Sequence, residues 1–518
     1  MGHSSRQEPP LAHAPVVLGL SLDASLSTPL YQQLFDAIVD RIRTGAFPAG
    51  FRLPPTRVLA KELDAHRNTV VRAYTRLEQA GFTGSTVGRG TFVLALPKEE
   101  APPMTPQHEP TMRWAGLLAA RVRAEPFDRL RRITRAAAPS EHVNLTRLQP
   151  SPDLIPIELF QRCLDHVLRT QGSRALGYTP HEGVPLLREA VARDLLRRGV
   201  PARPEDVVIT SGSQQGLDVI ARALLEPGDS VLLDEATYTG ALQIFTAAGA
   251  RAEPIASDEE GPSMAALKAA ETVRSSKLLY LMPGHANPTG RRISEARRRA
   301  LCAWSRERSV ALIEDDYAAD LELEHEAPVP AMRALDGDVL HVGTYSKKLM
   351  PALRIGYLLC PPALREPLVA LKHATALGTS SLLQHALAEF LERGYLAPHL
   401  GRVQEAYRKR RDALVGSLNQ HLPSSMKVSP PKRGVTLWIP LPDALPIDTV
   451  FDETRRHGVL VSPGAMFRVG DGARGIRVTY CWESEERLRE GGKRLGQVLS
   501  NLLKTKRVNT VEPSIGMV

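Results

Sequence analysis

Cysteine is nearly missing from this chain. Four residues in 518, Cys163, Cys302, Cys360 and Cys481, lie far apart. That spacing offers neither a disulfide framework nor a metal-ligand set, and a reducing cytoplasm is the expected compartment. Long apolar runs are missing as well. The longest are of strand length, too short for a membrane-spanning helix. Met1 to Pro15 lacks the basic-then-apolar order of a signal peptide. Aromatic residues make up only 5%, and a net charge of +9 is modest for this length, so charge matters only where it is concentrated. What is present is a chain of 43% hydrophobic and 24% charged residues, long enough for more than one globular domain.

Charge is concentrated near the start. Residues 1–28 carry no periodicity and are expected to be a loose leader. Leu30, Leu34, Ile38 and Ile42 then recur at helical spacing, and Gly45 ends the run. A turn at Pro48-Ala49-Gly50 leads to a helix start at Pro55/Thr56, with Val58, Leu59 and Leu63 as its apolar face. After a break at Asp64-Ala65-His66, a third helix turns Val70, Tyr74 and Leu77 inward and Arg67, Asn68 and Arg72 outward. Gly88-Arg89-Gly90 reads as a hairpin tip before a returning strand. Three short helices and a basic hairpin describe a winged helix-turn-helix over residues 29–94. Nine Arg/Lys stand there against five Asp/Glu, a local charge of +4. Arg67, Asn68 and Thr69 would open a recognition helix, where Arg reads guanine and Asn reads adenine in the major groove of double-stranded DNA. Arg52, Thr56, Arg57, Arg72, Gly88 and Arg89 complete the candidate DNA-binding set. A basic protein-interaction module is the competing reading.

Residues 95–140 form a connector, first rich in proline (Pro97, Pro102, Pro103, Pro106, Pro110) and then arginine-rich, with a helix expected over Trp114–Ala138. From residue 141 to about 505 strand-like apolar runs alternate with helical stretches: Asp206–Ser211, Ser230–Asp234, Lys277–Met282, Ser309–Asp315, Val339–Val342 and Ile355–Cys360. That alternation predicts a large α/β fold on a mostly parallel sheet, with ligand groups on the loops at strand ends. Residues 506–518 are a tail.

Lys347 lies in such a loop, between Ser346 and Arg354 and just past Thr344. A lysine can form a Schiff base with an aldehyde, and hydroxyls with an arginine can hold a phosphate. Pyridoxal 5′-phosphate has both groups; two solvated lysines in a basic loop are the bland alternative. Further loops fit the same cofactor. Ser213 and Gln214 follow Thr210-Ser211-Gly212, a strand-to-helix turn that suits a phosphate, although such turns are common. Tyr238 could stack on a pyridine ring or be an ordinary core tyrosine. Asn287, before Pro288, could donate to the 3′-oxygen, or belong to a polar turn. Glu314-Asp315-Asp316 ends an apolar strand, where carboxylates are costly without a positive partner such as a protonated pyridine; an N-cap or magnesium cluster is the alternative. Tyr317 lies close enough to share the 3′-oxygen. Arg477, in a β-patterned run, suits a substrate carboxylate or a structural ion pair.

These stretches carry two resemblances. LPPTRVLAKELDAHRNTVVRAYTRLEQAGF with GRGTFV resembles the GntR family of bacterial transcription regulators, although His66 replaces the usual Ser and Thr83 an aliphatic residue. Residues 145–500 resemble the fold-type I aminotransferases. By that resemblance Lys347 is the Schiff-base lysine, Asp315 the pyridinium partner, and Asn287 and Tyr317 the 3′-oxygen ligands. Tyr238 would be the stacking ring, Ser213, Gln214, Ser346 and Arg354 the phosphate ligands, and Arg477 the carboxylate anchor. Tyr178, ahead of His181-Glu182-Gly183, would reach the phosphate across a homodimer, which the same resemblance implies to be head-to-tail. The fusion resembles the MocR subfamily. It implies a regulator that senses an amino acid or amine by Schiff-base chemistry; a working aminotransferase carrying a DNA-binding domain is the alternative. Many subfamily members have His-Gln-aromatic-Pro where this chain has His285-Ala286-Asn287-Pro288, and Asn287 is what true aminotransferases use. No arginine follows Tyr238 closely, so γ-aminobutyrate is not expected to be the effector.

Overall fold

The computed structural model describes residues 18–86, 90–95, 112–128, 141–269, 275–318, 320–470 and 474–510. The chain divides into two compact units, Met1–Arg113 and Trp114–Val518.

The first unit holds α1 (Leu30–Arg43), α2 (Thr56–Glu62) and α3 (Arg67–Gln79), followed by the antiparallel pair β1 (Thr83–Thr86) and β2 (Gly90–Val93). Leu34, Ile38, Leu59, Val70, Ala73 and Leu77 are fully buried between the helices, each contributing roughly 1.5–3 kcal/mol for the larger side chains. The Tyr74 hydroxyl donates to the Pro54 carbonyl at 2.9 Å and ties α3 to the entry of α2. β2 also pairs with the segment before α2, through Leu53 N–H to Thr91 and Val93 N–H to Phe51. Two expectations are corrected. Val58 is 44% exposed, because Leu59 and Leu63 define the inward stripe and an adjacent residue points about 100° away. The leader is not loose throughout: Leu18 is buried in the core, its N–H bonded to Glu62 Oε1 at 2.9 Å, with Leu20 and Leu22 packed behind it. The missed signal is the alternation of Leu18, Leu20 and Leu22, which is strand-like rather than helical. Gly88, Arg89 and residues 1–17 lie outside the described residues.

Most of the connector also lies outside them. Over 112–128 the expected helix does not form as one piece. A helical turn at Trp114–Leu117 is followed by a 3₁₀ turn at Ala120–Arg123, and Ala124 is extended (φ −62°, ψ 152°). Pro126 explains the second break, since its ring would collide with the carbonyl four residues back.

The second unit is built on a seven-stranded sheet. Its strands are β3 (Val207–Thr210), β4 (Ser230–Asp234), β5 (Arg251–Ile255), β6 (Ser276–Leu281), β7 (Ala311–Asp316), β8 (Leu340–Thr344) and β9 (Gly356–Leu359). Their spatial order is β3-β9-β8-β7-β6-β4-β5, parallel except for β9, which runs antiparallel to both neighbours. Six of the seven strands read as nearly continuous apolar runs because helices cover both faces. β5 was not anticipated from sequence. It is an edge strand with Pro254 and an exposed Arg251, so it lacks the apolar signature of its neighbours.

A smaller lobe carries β10 (Thr436–Pro440), β11 (Ser462–Pro463) and β12 (Gly475–Thr479) in the order β10-β12-β11. Two helices of 26 residues, Leu396–His421 and Glu485–Thr510, pack beside it. They approach closely because the second presents glycines: a Cβ on Gly492 would sit 2.8 Å from the Leu414 carbonyl, and one on Gly496 2.7 Å from His421 Cβ. Among the described residues no helix is long and apolar enough to cross a membrane, and all four cysteines are buried and unpaired.

His66 takes over the role of the serine it replaces. Its Nδ1 accepts the Asn68 N–H at 3.2 Å and so caps α3. His66→Ala is expected to lower the stability of the winged-helix unit by about 1 kcal/mol, and His66→Ser to leave it unchanged. Denaturation midpoints of the three proteins, with hydrogen exchange at the Asn68 amide, check this.

Candidate cofactor and ligand site

Strand register assembles the site. Thr344 at the end of β8 pairs with Gly356 at the start of β9, and Gly356 pairs with Thr210 at the end of β3. On the other side Asp316 pairs with Gly343. The loop carrying Lys347 and Arg354, the helix opening at Ser213, and Asp315 therefore meet at one edge of the sheet.

The Lys347 amine donates to the Leu148 carbonyl at 2.7 Å. Burial pushes its pKa down, helped by Arg477 and Arg354. Asp315 is 3% exposed and receives the Tyr280 hydroxyl on Oδ2 at 2.7 Å, while its Oδ1 is buried with no hydrogen-bond partner. Burial raises this carboxyl to about 7. A buried oxygen without a donor wants one, and a protonated ring nitrogen is such a donor.

The second corner suits an anion. Ser213 opens the helix Ser213–Leu224, whose first amides have no helical acceptor. The Arg354 guanidinium lies against it: a Cβ on Gly212 would be 3.1 Å from Arg354 Nη2, and that nitrogen donates to the Ser211 carbonyl. Gly356 makes room, since a Cβ there would fall 2.7 Å from the Ser213 nitrogen. Thr344, buried at the strand end, gives its hydroxyl to Ser346 Oγ at 3.1 Å. The Gln214 side chain is also engaged: its oxygen accepts the Tyr238 hydroxyl at 2.7 Å. This positions the Tyr238 ring, whose phenol burial pushes up to about 12.

Arg477 faces these groups from β12. It donates to Asn287 Oδ1 (3.1 Å), Ser462 Oγ (3.0 Å) and the Thr146 carbonyl (3.1 Å), and lies 4.8 Å from the Phe467 ring centre. Among the described residues no carboxylate pairs with it. Burial pulls its pKa down to about 10. A guanidinium that is 8% exposed and lacks an acid is a ready carboxylate receptor. Tyr317 is buried beside it, and burial drives its phenol far above the usual range.

The chain's relatives identify its family. The profile of aminotransferase class I and II matches residues 150–495, and that of bacterial regulatory proteins of the gntR family matches residues 30–93. The probable rhizopine catabolism regulatory protein MocR of Rhizobium meliloti is 31% identical over 91% of this chain and 94% of its own. The chain belongs to the MocR-type, GntR-family transcriptional regulators. A second relative, the uncharacterized HTH-type transcriptional regulator YisV of Bacillus subtilis, is 30% identical over 92% of this chain and 97% of its own. The crystal structure of the α-aminoadipate aminotransferase of Thermus thermophilus, complexed with N-(5′-phosphopyridoxyl)-L-leucine, matches 76% of this chain and 100% of that chain, with TM-score 0.68 and 31% identity.

In this MocR-type regulator Tyr178 stands apart from the group; it is 91% exposed. His285 serves the scaffold, bonded to Thr436 Oγ1 at 2.8 Å and held neutral because burial lowers it to about 3. Three contributors escaped sequence reasoning. Leu148 and Thr146 act through backbone carbonyls, which leave no side-chain signal. Tyr280, a tyrosine within a buried strand, was the one detectable case, because a buried hydroxyl needs a partner. In the DNA-binding unit Arg57, Arg67 and Asn68 are exposed at the openings of α2 and α3, with Thr56 and Thr69 half-buried beside them. Arg72 lies on the Tyr31 ring at 4.0 Å, and Arg52 packs its side chain over Gly90.

The raised carboxyl has a pH signature. Asp315 binds a proton in the folded protein between its ordinary 3.8 and about 7, where the unfolded chain has released it. Its contribution to stability therefore falls as pH rises through that window. In protein freed of small molecules, Asp315→Asn is expected to raise stability by a few kcal/mol above about pH 7 and to be nearly neutral below about pH 4. Urea midpoints of both proteins across that range provide the check.

Proposed function

We propose that this regulator binds pyridoxal 5′-phosphate through Lys347 and senses an amino acid or amine by Schiff-base chemistry there, with operator DNA as its output. The observation that carries the reading is the unpartnered, buried Asp315 Oδ1, within electrostatic reach of a lysine whose charge burial disfavours. Bound there, the cofactor would supply an electrophilic carbonyl carbon and an electron sink.

Each residue has a defined task. Lys347, neutral more readily than a free lysine, presents a nucleophilic amine and takes up or yields a proton at Nζ. Asp315 would accept a protonated pyridine nitrogen, with Tyr280 orienting Asp315. Ser213, Ser346, Arg354 and the first amides of Ser213–Leu224 would hold the phosphate. Tyr238, fixed by Gln214, would cover the ring, and Asn287 with Tyr317 would hold the 3′-oxygen. Arg477 orients the effector's carboxylate. Tyr178, exposed on one chain, would serve the partner subunit's phosphate in a homodimer. Regulation requires that the effector favour one arrangement of the protein over another.

Transamination is the second reading, favoured by Asn287 lying within hydrogen-bond distance of Arg477. The two part company on one experiment. Pyridoxal phosphate should give the protein visible absorbance that Lys347→Ala removes. An effector that shifts the band to a lasting new species marks a sensor; conversion to the pyridoxamine form, reversed by a 2-oxo acid, marks an aminotransferase. Absence of any band in the wild type would sink the proposal. γ-Aminobutyrate is expected to leave the spectrum unchanged.

For the DNA-binding unit, Arg67→Ala and Asn68→Ala should each weaken binding to fragments selected by the wild type by about tenfold or more, without changing the spectrum. Gel-shift titration at fixed salt measures it.

A further inference from the structure

Between Lys347 and Arg477 runs the segment Thr146-Arg147-Leu148, and both functional cations grip it. Arg477 Nη2 donates to the Thr146 carbonyl at 3.1 Å, and Lys347 Nζ to the Leu148 carbonyl at 2.7 Å. The carbonyl of Arg147 itself is held from the other side, by Thr479 Oγ1 at 2.9 Å and Cys481 Sγ at 3.3 Å. The backbone of Arg147 is thus fixed at the rim of the site, one peptide away from each oxygen that the two cations hold.

Its side chain is fixed too. The Arg147 guanidinium lies over the Trp482 ring, 4.4 Å from its centre, and Trp482 directly follows Cys481. Among the described residues no carboxylate pairs with Arg147, although the chain elsewhere pairs exposed arginines readily, as in Arg299 with Glu295 and Arg489 with Glu485. A guanidinium seated over an aromatic face can still offer its edge N–H donors to a planar acceptor, with less rotamer freedom left to lose.

Resting on the proposed reading of the site, we infer that Arg147 receives a second carboxylate, so that the effector is an α-amino acid whose side chain ends in an acid. Arg477 takes the α-carboxylate, the amine meets the carbon beside Lys347, and the side chain crosses Thr146–Leu148 to the rim. Arg147 is then a specificity-determining residue and takes no part in proton transfer.

The test uses the full-length protein loaded with pyridoxal phosphate and matched pairs of ligands: L-glutamate with L-norvaline, and L-2-aminoadipate with L-norleucine. The wild type should bind the acidic member of at least one pair about tenfold or more tighter, read from the shift of the visible band, as a charge-assisted hydrogen-bond pair would give. Arg147→Gln should abolish the preference while neutral ligands bind as before, and Arg147→Lys should restore part of it. A second readout needs no cofactor chemistry. Acidic ligands should change tryptophan emission in the wild type, and Arg147→Gln or Trp482→Phe should remove that change. Equal or better binding of neutral ligands, or equal weakening of both classes in Arg147→Gln, overturns the assignment and leaves the cofactor reading standing. A protein with neither a visible band nor a tryptophan response overturns both.

Discussion

The large unit depends on keeping three ionisable groups withdrawn from water and within reach of one another without letting them neutralise each other. Lys347, Asp315 and Arg477 all face the edge of the sheet, yet none forms an ion pair among the described residues. Ionised groups withdrawn from water are expensive, and proteins usually pair them at once. Here the surroundings do the restraining. Backbone carbonyls take the hydrogens of Lys347 and part of Arg477, and a tyrosine takes one oxygen of Asp315. Immediately behind the site the ordinary solution appears: Lys348 with Asp320, and Arg198 with Asp316 and Asp320, form a dense buried network. Adjacent residues on one strand, Asp315 and Asp316, thus have opposite fates because their side chains leave on opposite faces.

Much of this was legible in the chain. The helical spacing of Leu34, Ile38 and Ile42, and the apolar runs ending at Thr210, Asp234 and Thr344, report burial directly, and burial decides both folds. Polar residues placed just past those runs marked the site for the same reason. What was hidden falls into two kinds. β5, with Pro254 and an exposed Arg251, has one uncovered edge and so little apolar pressure on its composition. Carbonyl ligands such as those of Thr146 and Leu148 depend on where the backbone passes, which no residue type records. Val58 failed for a third reason, since in two turns of helix one residue shifts the buried face entirely.

The substitution at His66 shows how a pattern can change while its physics persists. A helix opening needs an acceptor for its free amides rather than a particular side chain, and an imidazole nitrogen meets that need. The same need arises at Ser213, whose helix opens on free amides with the Arg354 guanidinium lying beside them.

The helix Leu396–His421 touches both walls of the site. Near its start His399 Nε2 bonds to the Lys348 carbonyl at 2.7 Å, and eleven residues on, Arg410 Nη1 bonds to the Cys481 carbonyl at 3.1 Å. An α-helix rises about 1.5 Å per residue, so these anchors lie about 16 Å apart along its axis. The helix is in effect a gauge block between the lysine loop and the strand region that carries Arg477. Its span sets how far apart the lysine loop and that strand region are held, and therefore how far a molecule touching both would have to reach.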